Sequence, residues 1–173
     1  MAENVGFDVH LNQGEHPMLK QKDDFSNDKE NKILNSLVDI NLDASDFYKS
    51  ALQRVKNPRL ERSFSDLERL HSSVASDLSR QIRTNGGEPE NDGTFTGKTA
   101  RVFGELLAKV SNDADETLVV RLEEAEDRCL HSMREALDDK HIHAETRALL
   151  VSELGTLQRS HDYMKALKDS MAA

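Results

Sequence analysis

Residues 58–87, PRLERSFSDLERLHSSVASDLSRQIRTNGG, decide the fold of this chain. Their apolar side chains recur in steps of three and four, which is the period of one face of an α-helix. The stripe consists of Leu60, Phe64, Leu67, His71, Val74, Leu78 and Ile82. Pro58 suits the first turn of a helix, and the glycines of Asn85-Gly86-Gly87 suit the left-handed conformation that ends one. The stretch therefore predicts a single amphipathic helix that stops at Asn85.

Similar stripes predict three more long helices. The first runs from Asn27, which is placed to cap it together with Glu30, to Lys56, because the residue before Pro58 is pushed out of the helical region. The other two cover residues 114–138 and 144–170. Because only short connections follow the first and third helices, each forms an antiparallel pair with the next.

The two pairs are joined by a longer segment, which begins with NGGEPENDGTFTG (residues 85–97) and continues into a short amphipathic piece that ends at Val110. We therefore predict an all-α fold: a ferritin-like four-helix bundle, residues 27–173, whose crossover carries a short extra helix between the second and third helices. Residues 1–26 are polar and lack a sustained period, which predicts a disordered N-terminal tail. No segment alternates with the period of a strand.

Composition narrows the class of partner. The 173 residues include 32 acidic and 23 basic side chains, for a net charge of -9. This excess disfavours nucleic acids and anionic membrane surfaces as partners, since both are polyanions. The single cysteine, Cys129, cannot form an internal disulfide and suits a reducing compartment. No signal peptide pattern and no apolar run of about 18 residues occur. We expect a cytoplasmic protein.

Three ionisable residues fall on the apolar stripes, where an unpaired polar group costs about 1–3 kcal/mol. They are His71 on the second helix, Glu126 on the third and His161 on the fourth. Glu68 precedes His71 by one turn, a spacing at which a carboxylate and an imidazole can reach one metal ion. Glu68, His71, Glu126 and His161 are therefore the candidate metal ligands. The interpretation that we favour is a metal-free network in which Glu126 bonds His71 or His161 inside the core.

The ligand set of a ferritin-like di-iron centre is incomplete in this sequence. Such centres use a Glu from each of two helices and Glu-x-x-His from each of the other two. Gln158 stands where the fourth helix needs a Glu, and the first helix turns Asn41 and Tyr48, rather than a carboxylate, towards the inner flank. We therefore expect no cofactor, with iron or manganese as the alternative. The predicted core consists of Phe64, Leu67, Leu122, Leu154 and Leu157.

Three segments carry a family resemblance: NGGEPENDGTFTG at 85–97, LEEAEDRCLHSMREALDD at 122–139 and LQRSHDYMKALKD at 157–169. They resemble a bacterial four-helix-bundle family of unknown function that is grouped with the ferritin-like superfamily, over residues 30–170. The resemblance implies a bacterial cytoplasmic protein with a ferritin-like fold and, in some members, an assumed stress role. It implies no established activity.

Two functions from different classes follow. The first is a non-enzymatic bundle protein, stress-associated in the sense of the resemblance, which acts through self-association as a homo-oligomer or through a protein partner. Its basis is the incomplete ligand set and the absence of nucleotide-binding, Cys-x-x-Cys or nucleophile motifs. The second is a ferritin-like metal-binding protein that handles iron or peroxide, based on Glu68, His71, Glu126 and His161.

Overall fold

The computed structural model describes residues 17–90 and 114–172, with side chains for residues 27–90 and 115–172. The described residues form four helices and no strand: α1 (Pro17–Leu52), α2 (Pro58–Thr84), α3 (Ala114–Asp138) and α4 (Ala144–Met171). Helix α1 packs along α2 and α3, and α3 packs along α4. The predicted all-α four-helix bundle is confirmed. Within these ranges no helix is long and apolar enough to cross a membrane. The predicted crossover helix lies in residues 91–113, outside the described ranges.

Helix α1 begins at Pro17 rather than at Asn27, so residues 17–26 of the predicted tail are helical. Proline favours the first helical turn, and the Met, Leu, Lys and Gln residues that follow it are strong helix formers. Asn27 is therefore not a cap: it lies inside α1, and its side-chain amide donates to the carbonyl oxygen of Asn85 (3.3 Å). Residues 1–16 lie outside the described part of the chain.

The ends of α2 follow the sequence prediction. Asn57 caps the helix by accepting a hydrogen bond from the backbone N–H of Arg59 (2.9 Å), and Pro58 occupies the first turn. At the other end Gly86 has a φ of 80°, and the N–H of Gly87 donates to the carbonyl of Ile82 (2.9 Å). This is the glycine-terminated helix end that Asn85-Gly86-Gly87 predicted.

Glu30 links three helices by hydrogen bonds at one end of the bundle. Its side chain is fully buried, and its carboxylate accepts hydrogen bonds from the backbone N–H of His143 (2.7 Å) and from the amide of Asn85 (2.8 Å). The imidazole Nδ1 of His143 lies 2.9 Å from the same carboxylate. Since Asn85 ends α2 and His143 precedes α4, one buried acid on α1 connects the ends of two other helices.

The core consists of two apolar clusters. The first includes Leu34, Leu37, Val74, Leu78, Ile82, Leu130, Met133, Leu150 and Leu157. The second includes Phe47, Leu60, Phe64, Leu67, Leu118, Val119, Leu122 and Met164. On α2, α3 and α4 the change from one cluster to the other falls at a buried polar residue: His71, Glu126 and Ser160. Together with Asn41 and Tyr48 of α1, these residues form what we call the polar layer.

The buried face of α4 differs from the predicted one. Leu150, Leu157 and Met164 are fully buried at seven-residue intervals, and Ser160 is buried beside them. The predicted core residue Leu154 is only half-buried at the edge of the first cluster. The other predicted core residues, Phe64, Leu67, Leu122 and Leu157, are buried. The helical wheel of α4 is therefore rotated from the prediction, away from the face that carries Leu154 and His161.

Candidate functional site

Glu126 is the centre of the polar layer. Its side chain has no exposed surface, and a single carboxylate oxygen, Oε1, takes three contacts. The hydroxyls of Tyr48 (2.6 Å) and Ser160 (2.7 Å) donate to it, and the imidazole Nε2 of His71 lies 3.0 Å away. The second oxygen, Oε2, is buried without a hydrogen-bond partner. One carboxylate oxygen of α3 thus holds side chains from each of the other three helices.

His71 links Glu126 to Asn41. The amide nitrogen of Asn41 donates to the carbonyl of Leu37 (2.8 Å), which turns its own carbonyl oxygen towards Nδ1 of His71 (2.9 Å). An amide oxygen only accepts, so Nδ1 carries a proton and donates. The remaining ring nitrogen, Nε2, faces the Glu126 carboxylate. A proton shared at this contact gives an imidazolium–carboxylate pair, which is a strong form of hydrogen bond.

The charge of Glu126 decides the electrostatics of the layer. Burial raises the pKa of Glu126, but the hydrogen bond and charge of His71, with the hydrogen bonds from Tyr48 and Ser160, outweigh it and leave the pKa below its usual value. Burial and the adjacent Glu126 carboxylate raise the pKa of Tyr48 well above its usual value. At neutral pH the acid is therefore ionised, and the phenol remains a donor.

The aromatic ring of Tyr48 also packs against two other rings, those of His71 in the polar layer and Phe64 in the second apolar cluster. It stacks on the imidazole of His71 with 5.8 Å between ring centroids and 22° between planes, and it meets Phe64 in a tilted contact at 5.8 Å.

One turn beyond Glu126 lies buried Cys129, whose thiol donates to the carbonyl of Ile40 (3.7 Å). Burial and the Glu126 charge raise the pKa of this thiol far above its usual value, so Cys129 stays in the weakly nucleophilic thiol form at neutral pH.

The structure brings two of the four predicted ligands together. His71 and Glu126 meet in the polar layer, as predicted for both. Glu68 instead accepts a hydrogen bond from Ser45 (3.1 Å) and lies 3.6 Å from the ammonium of Lys49. His161, whose side chain is 12% exposed, faces Asp127 (2.9 Å) between α4 and α3. The expectation that His161 joins His71 and Glu126 is wrong, because the rotation of α4 places Ser160 beside Glu126 instead.

Sequence reasoning placed Asn41 and Tyr48 on the inner flank of the first helix but assigned them no partner. Ser160 was missed altogether. The signal that reveals it is the seven-residue spacing of Leu150, Leu157 and Met164, which puts position 160 on the inner face. A serine gives no such signal by itself, because serines are common on exposed helix faces.

The polar layer is closed to substrates. Asn41, Tyr48, His71 and Glu126 are each fully buried, and Ser160 is 3% exposed. All the hydroxyl and ring N–H donors of the layer are engaged within it. A ferritin-like di-iron centre needs further carboxylates around the same point, and Glu68 and His161 contact other groups. The residues present therefore do not fit such a centre.

With the fold and the layer established, the class is that of a ferritin-like four-helix bundle. A mutant of Dps1 from Mycobacterium smegmatis has a similar structure, with a TM-score of 0.71 over 83% of this chain and 97% of that one, at 15% sequence identity. This likeness concerns the fold. The predicted ferritin-like architecture is confirmed.

The particular family follows from the sequence comparison. The domain of unknown function DUF2383 matches residues 29–139, and the chain belongs to this family. No curated protein sequence matches the chain. The predicted membership of a family of unknown function is thus confirmed, and the ferritin-like part of that prediction is confirmed for the fold.

Proposed function

We propose that this protein is a non-enzymatic ferritin-like bundle that acts through self-association, and that the polar layer is a structural element of its core. The observation that carries the proposal is the closure of that layer. Every polar side chain in it is at least 97% buried, and no substrate reaches His71 or Glu126 without separation of the helices. A buried acid–imidazole pair with all donors engaged is what a structural network requires.

Helix α4 is the surface on which self-association is best tested. Two large apolar side chains of the described residues are exposed there, Val151 at 58% and Tyr163 at 44%. The hydroxyl of Tyr163 contacts Ser63 on α2. Val151 has the larger exposed fraction and a wholly apolar side chain, so it is the position chosen for the test. Exposed apolar side chains are favourable at an interface between copies, where they lose contact with water.

Light scattering after gel filtration, over a hundredfold range of protein concentration, tests the proposal. We expect a mass above that of a monomer that falls for Val151→Glu and is retained for Ser152→Glu. Ser152 is exposed and adjacent, so its variant adds the same charge outside the apolar position. A monomeric mass at every concentration would contradict self-association.

The alternative function, handling of iron or peroxide, requires Glu68 and His161 to join His71 and Glu126. Their contacts with Lys49 and Asp127 give it no support. Oxidation of Fe(II) by oxygen or peroxide tests it directly. We expect rates equal to those in buffer, and a faster rate that His71→Ala abolishes would replace the proposed function with the alternative.

A further inference from the structure

A second group of metal-ligating side chains lies at the contact between α3 and α4, outside the polar layer. Glu123 and Asp127 are four residues apart, so they share one face of α3, and His161 meets them from α4. One ligand atom from each of the three lies within 4.8 Å of the others. Metal–ligand bonds of about 2.0–2.2 Å fit such a triangle after small side-chain rotations.

The imidazole of His161 lies between two acids. Its Nε2 is 2.9 Å from Asp127, and its Nδ1 is 3.1 Å from Asp162, whose carboxylate also accepts from the amide of Gln158 (2.8 Å). Both ring nitrogens of His161 therefore face carboxylates, and the position between Nε2 and Asp127 is one where a positive charge is stabilised.

Asp162 and Asp127 play different parts in this arrangement. Metal-bound histidines typically donate their second ring N–H to a carboxylate, which fixes the ring. Asp162, oriented by Gln158, supplies that acceptor at Nδ1. Nε2 is then the ring nitrogen that faces Asp127 and the cluster, and it is the nitrogen that would ligate a metal ion.

A positively charged side chain, Lys168, occupies the position beside Glu123 in this structure. Its ammonium lies 2.5 Å from Glu123, whose side chain is only 6% exposed. The lysine is itself 32% exposed and can move into water on its flexible stem. A metal ion of charge +2 can therefore replace the ammonium at Glu123 and interact with both carboxylates.

We propose that Glu123, Asp127 and His161 bind a divalent transition-metal ion, with Asp162 orienting the histidine and Lys168 as the competing cation. One imidazole and two carboxylates suit Zn²⁺ or Mn²⁺ better than Mg²⁺, which favours oxygen ligands and its own water. The proposal is independent of the proposed function, because none of these side chains belongs to the polar layer.

Calorimetric titration of the metal-free full chain with Zn²⁺ tests the site. We expect one ion per chain, with affinity reduced at least about tenfold in Asp127→Asn and His161→Ala, and about tenfold in Asp162→Asn. Lys168→Met should bind more tightly. His131→Ala is the matched control, since His131 and Glu135 (3.3 Å) form an exposed i, i+4 pair on α3 that has no third ligand among the described residues.

A second measurement separates loss of ligand from loss of fold. Circular dichroism with EDTA present should give the same helicity for all variants, and imidazole NMR should show Zn²⁺ shifting His161 but not His131. The proposal is overturned if Zn²⁺ does not bind, if His161→Ala binds as the wild type does, or if the His161 signals stay unchanged on titration. Weaker binding by Lys168→Met would overturn the role given to Lys168.

Discussion

Replacing Glu126 with glutamine is the sharpest test of the polar layer. The side-chain volume is conserved, so no cavity forms, but the charge that Tyr48, Ser160 and His71 share is lost. A hydrogen bond to a charged group contributes about 1.5–3 kcal/mol and one to a neutral group about 0.5–1.5 kcal/mol, so each hydroxyl contact weakens by about 1 kcal/mol. His71 loses its ionic partner as well, which adds about 1–3 kcal/mol.

We therefore expect Glu126→Gln to lower the free energy of unfolding by about 3–5 kcal/mol at pH 7, or the melting midpoint by roughly 6–20 °C for a chain of this size. Urea unfolding followed by circular dichroism measures it. Glu124→Gln is the matched control, because Glu124 lies on the same helix, is 45% exposed and pairs with Arg121 one turn away. We expect that variant within about 0.5 kcal/mol of the wild type.

The pH dependence has a defined sign. Because the folded-state pKa of Glu126 lies below its usual value of about 4.3, its ionised form stabilises the fold above that value. This contribution is lost as the pH falls through the lower, folded-state pKa. The difference between wild type and Glu126→Gln should therefore narrow below about pH 4. A difference of less than about 1 kcal/mol at pH 7, or one that widens in acid, would refute the reasoning.

Three further predictions test other parts of the fold. Glu30→Ala removes the acceptor that joins α1 to Asn85 and His143 and should cost about 2–4 kcal/mol in urea unfolding; a cost near zero would mean that this end of the bundle holds without it. Leu157→Ala should cost about 2–5 kcal/mol and Leu154→Ala clearly less, and the reverse order would restore the originally predicted α4 face. Cys129 should resist a chromogenic thiol reagent in the native state, because it is buried with a raised pKa, and react fully in urea; rapid native labelling would contradict its burial.

The helices were predictable where several local signals agree. Helix α2 has a cap, a proline in its first turn, a continuous stripe and a glycine stop, and its bounds match the prediction. The start of α1 was not predictable from periodicity, because residues 17–26 carry helix formers without an apolar stripe. Helix α4 has Leu149, Leu150, Val151 and Leu154 on several sides, so its pattern allows more than one buried face. Packing in the bundle selects the face marked by Leu150, Leu157 and Met164.

The polar layer was predictable only in part, for a related reason. His71 and Glu126 stand out because ionisable residues are rare on an apolar stripe. Glu68 and His161 carry the same chemical types, but their long or ring side chains reach flanking partners, Lys49 and Asp127, that lie on other helices. Which neighbour a flanking acid or imidazole reaches depends on helix rotation, and that is a tertiary property.

The position of the polar layer between two apolar clusters also determines which alternative alignments of the four helices are unfavourable. Leucines and valines exchange places in a core at little cost, so apolar contacts alone tolerate a neighbouring helix displaced by one turn. Such a displacement, about 5.4 Å, would move Glu126 among apolar side chains and away from Tyr48, His71 and Ser160. A buried carboxylate without donors is far less stable, so each misaligned packing lies well above the native one in free energy. We expect the layer to make the native alignment unique, and its loss to yield a bundle that is still helical but samples several alignments.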